Sequence, residues 1–215
     1  MKTAILFDLD GTLLDTLGDL HGATNAVLRQ FGYPERTKEE VRQFVGNGAR
    51  RLIEQAVPAG EGHRVEEVLA AFQTYYAAHC DILTAPYPGI PELLASLGKK
   101  YPLAVVSNKP DRAVKELAKI YFPGLYARGE SADCPRKPAP DMVRIAMQAL
   151  GAENCVYVGD SEVDVLTAQN ADVPCLSVTW GFRDVETLKN AGAAYLCRRA
   201  EDVEDCIKNI VERTF

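Results

Sequence analysis

The stretch Ala4-Ile5-Leu6-Phe7-Asp8-Leu9-Asp10-Gly11-Thr12-Leu13 decides the reading of this chain. Four apolar residues run straight into two carboxylates separated by one leucine. A short, continuous apolar run of this kind marks a buried strand of a parallel sheet. Open parallel sheets bind ligands beyond the carboxyl ends of their strands. Asp8 and Asp10 therefore stand where such a fold does its chemistry. Two anions leaving a buried strand repel each other and require a cation or a proton nearby.

Outward from this stretch, Gly11 predicts a turn. Leu17, Leu20, Val27, Leu28 and Phe31 then share one helical face, which Gly32 ends. Thr37-Lys38-Glu39-Glu40 reads as a capping box opening a second helix, and Gly46-Asn47-Gly48 interrupts it. Further helices are expected from about Arg50 to Ala56 and from Val65 to Ala78, so residues 16–80 hold helices and no strand. After the stiff segment Pro86-Tyr87-Pro88-Gly89-Ile90-Pro91 the pattern changes. Strands are expected at Leu103–Ser107, Leu125–Arg128, Cys155–Val158, Pro174–Val178 and Ala194–Leu196. Helices follow Pro110, run from Pro140 to Gly151 and from Val163 to Asn170, and close the chain. Such alternation implies a parallel sheet. The expected fold class is α/β: a three-layer, Rossmann-like core with a parallel sheet, built from residues 1–15 and 81–215, plus an inserted all-helical cap domain over 16–80.

The composition narrows the function. A chain of 215 residues, 47% hydrophobic and 25% charged, is an ordinary globular protein, large enough to bury a core without staples. A net charge of −6 with no basic block argues against nucleic acid as a partner. No run approaches the roughly 20 apolar residues of a membrane span. The apolar run after Met1-Lys2 is cut by Asp8 too early for a signal peptide. The six cysteines show neither a CxxC pair nor metal-ligand spacing and are read as reduced, with Cys155 and Cys175 acting as small buried hydrophobes. A cytoplasmic protein, monomeric or homodimeric, is expected.

Each core strand ends in polar residues. The first ends in Asp8-Leu9-Asp10-Gly11-Thr12 and the second in Ser107-Asn108-Lys109-Pro110. The loop after the third carries Arg136-Lys137-Pro138-Ala139-Pro140-Asp141, and the fourth ends in Gly159-Asp160-Ser161-Glu162-Val163-Asp164. Parallel strands put these ends on one rim. Taken singly, each has a plainer reading: Ser107 as a helix cap, Lys137 as a solvated charge, Asp164, Asp141 and Glu162 as first-turn acids favoured by a helix dipole. Together, in this order, the four motifs resemble those of the haloacid dehalogenase superfamily, in its phosphatase branch. The helical insertion after the first strand is similar to that superfamily's first cap type. Val106-Ser107-Asn108-Lys109-Pro110, the Lys137-Pro138-Ala139-Pro140-Asp141 run and Gly46-Asn47-Gly48 most resemble phosphoglycolate phosphatases and their near relatives.

The resemblance implies a Mg²⁺-dependent phosphatase acting on a small phosphomonoester metabolite, 2-phosphoglycolate first among them, through an aspartyl-phosphate intermediate. It assigns Asp8 as nucleophile and Asp10 as the acid and base. The Asp8 and Asp160 carboxylates and the Asp10 carbonyl become metal ligands, and Asp164 orients them. Hard oxygen donors without His or Cys suit Mg²⁺. Lys137 offsets the nucleophile and phosphate charge, and Ser107 with the amides after Asp10 binds phosphoryl oxygens. An unperturbed Asp has a pKa of about 3.9, so Asp10 is expected to be raised by burial and neighbouring carboxylates in order to hold a proton. Thr12 is expected to hold the turn through its hydroxyl and, with Asn108, Lys109, Gly46, Asn47 and Arg50, to line the substrate. Trp180-Gly181-Phe182 reads as a loop that closes the core. A phosphosugar mutase and a pyrophosphatase of the same superfamily are the enzyme alternatives. The mutases' hinge histidine would fall at Leu20, with His21 one position off. A non-catalytic binder would lack the nucleophile or a metal ligand, and none is missing.

Overall fold

The computed structural model describes residues 2–215. Met1, where the expected core segment begins, lies outside them. In chain order the elements are β1 (Thr3–Phe7), β2 (Leu14–Asp15), α1 (Leu17–Gln30), α2 (Lys38–Phe44), α3 (Gly48–Ala56), α4 (Val65–Ala77), β3 (Ala85–Pro86), α5 (Ile90–Leu97), β4 (Leu103–Pro110), α6 (Asp111–Tyr121), β5 (Tyr126–Glu130), α7 (Asp141–Leu150), β6 (Asn154–Gly159), α8 (Glu162–Ala171), β7 (Cys175–Val178), α9 (Val185–Asn190), β8 (Tyr195–Cys197) and α10 (Val203–Thr214). Six strands form one parallel sheet in the order β5-β4-β1-β6-β7-β8.

The period-2 alternation of a strand makes this a three-layer structure. Ile5 and Phe7 of β1, Val105 of β4 and Val156 and Val158 of β6 pack to one side with α5, α6 and α10. Ala4 and Leu6, Ala104 and Val106, and Cys155 and Tyr157 pack to the other with Met142, Val143 and Ala146 of α7 and Ala168 of α8. Both faces of β1 are covered, which is why its sequence is continuously apolar. The chain leaves β1 for β4 on one side and β6 on the other. The crevice at such a reversal point is where open α/β sheets take ligands.

Two helices went unforeseen. Ile90, Leu93, Leu94 and Leu97 bury one face of α5, and Pro91, the last proline of the segment read as a stiff connector, instead occupies its first turn, where a missing N–H costs nothing. α9 is short and starts where Asp184 caps the Thr187 N–H. The expected strand at 125–128 sits one residue later, and β4 extends to Pro110. The capping box at Thr37 and Glu40 forms as read.

Between β2 and β3 lie only helices, and β2 and β3 pair antiparallel, Leu14 with Pro86 and Asp15 with Ala85. This small ladder ties together the two chain segments that cross between the sheet and the helices. Asp19 in α1 reinforces it. Its buried carboxylate accepts the Leu83 N–H at 2.9 Å, the Thr84 N–H at 2.9 Å and the Thr84 hydroxyl at 2.8 Å. Removing a buried ionic acceptor leaves its donors unsatisfied. Asp19→Ala is therefore expected to lower unfolding stability by roughly 3 kcal/mol in urea denaturation. A loss under about 1 kcal/mol would show that water replaces the carboxylate.

Candidate active site

The turn after β1 aims both carboxylates of the opening motif. Leu9 O accepts the Leu13 and Leu14 N–H groups, each at 3.0 Å, and Gly11 N donates to Leu14 O at 2.9 Å. Gly11 has φ +84°, and a Cβ there would overlap the Asp160 carboxylate. Only glycine meets both demands. Asp8 Oδ1 accepts the Leu9 N–H at 2.7 Å and faces the Lys137 ammonium at 2.9 Å. Its Oδ2 accepts no hydrogen bond among the described residues. Asp10 Oδ1 accepts the Thr16 hydroxyl at 2.7 Å and the Lys109 ammonium at 2.6 Å.

Lys137 is 2% exposed. Besides Asp8, its ammonium meets Asp164 Oδ1 at 2.7 Å and the Tyr157 hydroxyl at 3.1 Å. The Lys137 backbone is held as firmly: its N–H donates to Asn108 Oδ1 at 2.7 Å and its carbonyl accepts from Asn108 Nδ2 at 3.0 Å. Asp164 sits in the first turn of α8 and closes a capping box with Ser161, accepting from its N–H at 3.0 Å and its hydroxyl at 2.6 Å. Asp160, at the end of β6, accepts the Thr12 hydroxyl at 2.9 Å and the Phe182 N–H at 2.7 Å.

Carboxylate oxygens of Asp8, Asp160 and Asp164 lie within 4.8 Å of one another, all buried. Burial pushes Asp8 up to about 7 against the pull of Lys137, and pushes Asp160 up to about 8, with Asp164 and Asp8 adding to it. Lys137 stays charged: burial opposes its ammonium, but Asp164 and Asp8 outweigh it and hold it well above the ordinary range. Lys109 is likewise raised, Asp10 and Tyr76 outweighing burial. Formally, Asp8, Asp10, Asp160 and Asp164 face two ammonium groups. A divalent cation balances that count, and the donors are hard oxygens, so the residues fit a Mg²⁺-like ion. Asp160 and Asp164 each have both oxygens engaged, whereas the Asp10 carbonyl accepts no hydrogen bond among the described residues.

The structure brings Asp8, Asp10, Ser107, Asn108, Lys109 and Asp160 onto one cavity, with Gly46 on its facing wall. Lys137 and Asp164 stand directly behind. Four expectations need correction. Thr12 is fully buried and spends its hydroxyl on Asp160, so it neither holds its own turn nor reaches substrate. The Lys109 ammonium, expected to contact substrate, is committed to Asp10. Arg50 is on the outer face of α3, paired with Glu54 and Glu66, because its position follows the exposed side of that helix. Asn47 precedes α3 and does not line the cavity. The Trp180–Phe182 loop does more than close the core. Phe182 lines the cavity and binds Asp160, Trp180 Nε1 donates to Thr12 O at 3.1 Å, and a Cβ at Gly181 would strike Asp160.

Thr16, Tyr157, Arg42 and Arg183 were missed. Arg183 pairs with Glu162 at 2.8 Å and donates to Arg42 O at 3.0 Å and Val45 O at 2.6 Å. Arg42 answers with a bond to Gly181 O at 3.1 Å, and Asn108 Nδ2 donates to Gly46 O at 3.1 Å. These bonds close the helical segment against the strand ends. No sequence signal distinguishes an arginine that caps distant carbonyls from a solvated one.

The haloacid dehalogenase-like hydrolase family model matches residues 5–178. Phosphoglycolate phosphatase 1 of Pseudomonas aeruginosa is 33% identical over 219 residues, covering 97% of this chain and 80% of that protein. Phosphoglycolate phosphatase of Rhodobacter capsulatus is 37% identical over 193 residues, covering 85% and 87%. A crystal structure of a candidate phosphoglycolate phosphatase from Lactobacillus delbrueckii subsp. bulgaricus superposes with a TM-score of 0.90 at 39% identity, covering 96% of this chain and 99% of that one. No helix among the described residues is long and apolar enough to cross a membrane.

The raised carboxylates make stability depend on pH. Asp8 and Asp160 hold protons in the folded state that the unfolded chain has already released above about pH 4. Their contribution is full below that pH and is lost as pH rises through about 7 and about 8. The EDTA-treated protein should therefore melt at progressively lower temperature from about pH 5 to about pH 8. Mg²⁺ should recover more of the Tm at the alkaline end. A metal-free Tm that stays flat or climbs over this range would contradict the assignment.

Proposed function

Since the chain belongs to the haloacid dehalogenase-like hydrolase family, we propose that it is a Mg²⁺-dependent phosphatase that hydrolyses a small phosphomonoester metabolite through an aspartyl-phosphate on Asp8. The observation that carries this reading is the state of Asp8. One carboxylate oxygen is pinned by Leu9 N–H and Lys137, the other accepts no hydrogen bond among the described residues, and the residue lines the cavity. A nucleophile held in one orientation is the condition for in-line attack on phosphorus.

Asp8 Oδ2 attacks the phosphorus and the ester oxygen leaves, taking a proton from Asp10. Asp10 then draws a proton from the water that opens the acyl phosphate, which restores Asp8 and releases phosphate. Lys109 and Thr16 both hold Asp10 Oδ1, so Oδ2 is the oxygen that carries the proton. Lys137 offsets the charge gathering around Asp8. The Ser107 hydroxyl donates to a nonbridging oxygen; the Gly11, Thr12 and Leu13 amides, expected to share that role, are spent inside the turn on Leu14 O and Leu9 O. Asp8, Asp160 and the Asp10 carbonyl would hold Mg²⁺, which supplies positive charge to the transferring group. Asp164 acts through Lys137 and Ser161.

The helical segment 16–80 acts as a cap that limits substrate size and keeps water from the intermediate. The two named relatives are phosphoglycolate phosphatases, which makes phosphoglycolate the first ester to test. Mutase chemistry is less well supported. Leu20 lines the cavity, while His21 is turned into the helical segment against Asn25 and the Arg36 carbonyl.

Asp8→Asn should lower kcat by roughly a thousandfold or more, and EDTA should stop phosphate release until Mg²⁺ is returned. A panel of phosphomonoesters, pyrophosphate and a hexose monophosphate measures both. Release that survives either treatment would sink the mechanism. Release from pyrophosphate alone, or isomerisation without release, would assign one of the other two activities.

A further inference from the structure

Asp160 is held differently from its two carboxylate neighbours. Lys137 bridges Asp8 at 2.9 Å and Asp164 at 2.7 Å. Asp160 pairs with no cation among the described residues. Its orientation rests on two hydrogen bonds, from the Thr12 hydroxyl to Oδ1 at 2.9 Å and from the Phe182 N–H to Oδ2 at 2.7 Å. That N–H belongs to the Gly181–Phe182 peptide. The carbonyl of the same peptide accepts from Arg42 Nη2 at 3.1 Å, and Arg42 lies in α2, within the helical segment. One peptide unit thus joins a guanidinium of the helical segment to a carboxylate of the candidate cation site.

A trans peptide is planar, with its N–H and C=O pointing opposite ways, so neither turns without the other. A carbonyl that accepts from a cation also makes its own N–H a stronger donor, because hydrogen bonds in a chain polarise one another. Asp160 and this loop are in direct contact: a Cβ on Gly181 would overlap the Asp160 carboxylate. The next residue, Arg183, completes the connection. It donates to Arg42 O at 3.0 Å and Val45 O at 2.6 Å, and pairs at 2.8 Å with Glu162, in the first turn of α8. Residues 181–183 therefore grip α2 on one side and the β6–α8 turn on the other. The only other ion partner of Arg42 among the described residues is the exposed Glu39 at 3.5 Å, and such a pair constrains it little.

We propose that Arg42 is a positioning residue for the cation site: through the Gly181–Phe182 peptide it orients Asp160, so that divalent-cation affinity depends on the helical segment being seated on the strand ends. This inference rests on the reading of Asp8, Asp160 and the Asp10 carbonyl as the groups that hold Mg²⁺. Arg42 touches neither the ion nor the reacting atoms. Its charge by itself acts in the opposite sense, because a guanidinium near a cation site repels the ion. Removing that charge alone would tighten Mg²⁺, so a weakening reads the lost orientation. Coupling of this kind is reciprocal: an ion on Asp160 strengthens the seating of the helical segment by the same factor.

The test titrates Mg²⁺ into protein freed of metal with EDTA and then dialysed, and takes Kd from the rise of Tm with Mg²⁺ concentration. Arg42→Gln should raise Kd by about tenfold, the low end of what losing an outer hydrogen-bond partner of a metal ligand costs. Arg42→Lys, which keeps a donor for Gly181 O, should recover most of that loss. Arg50→Gln removes the same charge from the outer face of α3 and should leave Kd unchanged. In wild type, Mg²⁺ should also slow amide hydrogen exchange from Arg42 to Gly48, and in Arg42→Gln it should not. An Arg42→Gln Kd within about threefold of wild type, or tighter, overturns the inference and leaves the cation site standing. An equal loss in Arg50→Gln, or no recovery in Arg42→Lys, overturns it as well. Exchange over that segment that ignores Mg²⁺ in wild type does so without any variant. Failure of Mg²⁺ to raise the wild-type Tm overturns the metal reading of the site, and this inference with it.

Discussion

The Lys137 ammonium, buried between Asp8 and Asp164, joins three separate parts of the chain at one point. β1 brings Asp8, the loop before α7 brings the lysine, and the first turn of α8 brings Asp164. Desolvating these charges is expensive, and such a cluster persists only when further hydrogen bonds satisfy its remaining donors and acceptors. Here Tyr157, Ser161 and Leu9 N–H provide them. The balance still falls short. One ammonium cannot neutralise Asp8, Asp160 and Asp164 together, and burial therefore raises both Asp8 and Asp160. That deficit is the physical case for a divalent cation.

The same economy extends to the two aspartates of the opening motif. They are two residues apart and live in different surroundings. Asp8 lies in the buried cluster, with a second carboxylate group pressing on it. Asp10 stands at the cavity edge with Lys109 and Thr16 on one oxygen. Lys109 also faces Tyr76 of α4, so Asp10 is connected through one side chain to the helical wall of the cavity. Arg183, Arg42 and Asn108 bind the helical segment to the strand ends through backbone carbonyls. Such bonds depend on the position of the helices and hardly on their side chains.

Much of this was readable beforehand. The apolar runs of β1, β4, β6 and β7, each ending in a polar motif, placed Asp8, Ser107 and Asp160 on one rim because parallel strands all point the same way. The Thr37 capping box and the glycine break at residues 46–48 were equally plain, since both are local. The failures share a cause. Thr12, Lys109 and Arg50 were judged by their neighbours in the chain, yet Thr12 answers Asp160 across 148 positions and Lys109 answers Asp10 across 99. Arg50 was expected to line the substrate, while the phase of α3 sends it outward.

The sequence by itself determined the layer architecture and which chemical groups gather at the strand ends, because strand periodicity, caps and turns act over a few residues. Only the tertiary structure decided which partner each of those groups takes, that the Trp180–Phe182 loop braces Asp160, and that Leu20, Val45, Leu52 and Phe72 form the wall facing the site. Those outcomes depend on helix phase and on contacts between residues far apart in the chain, and no local pattern encodes them.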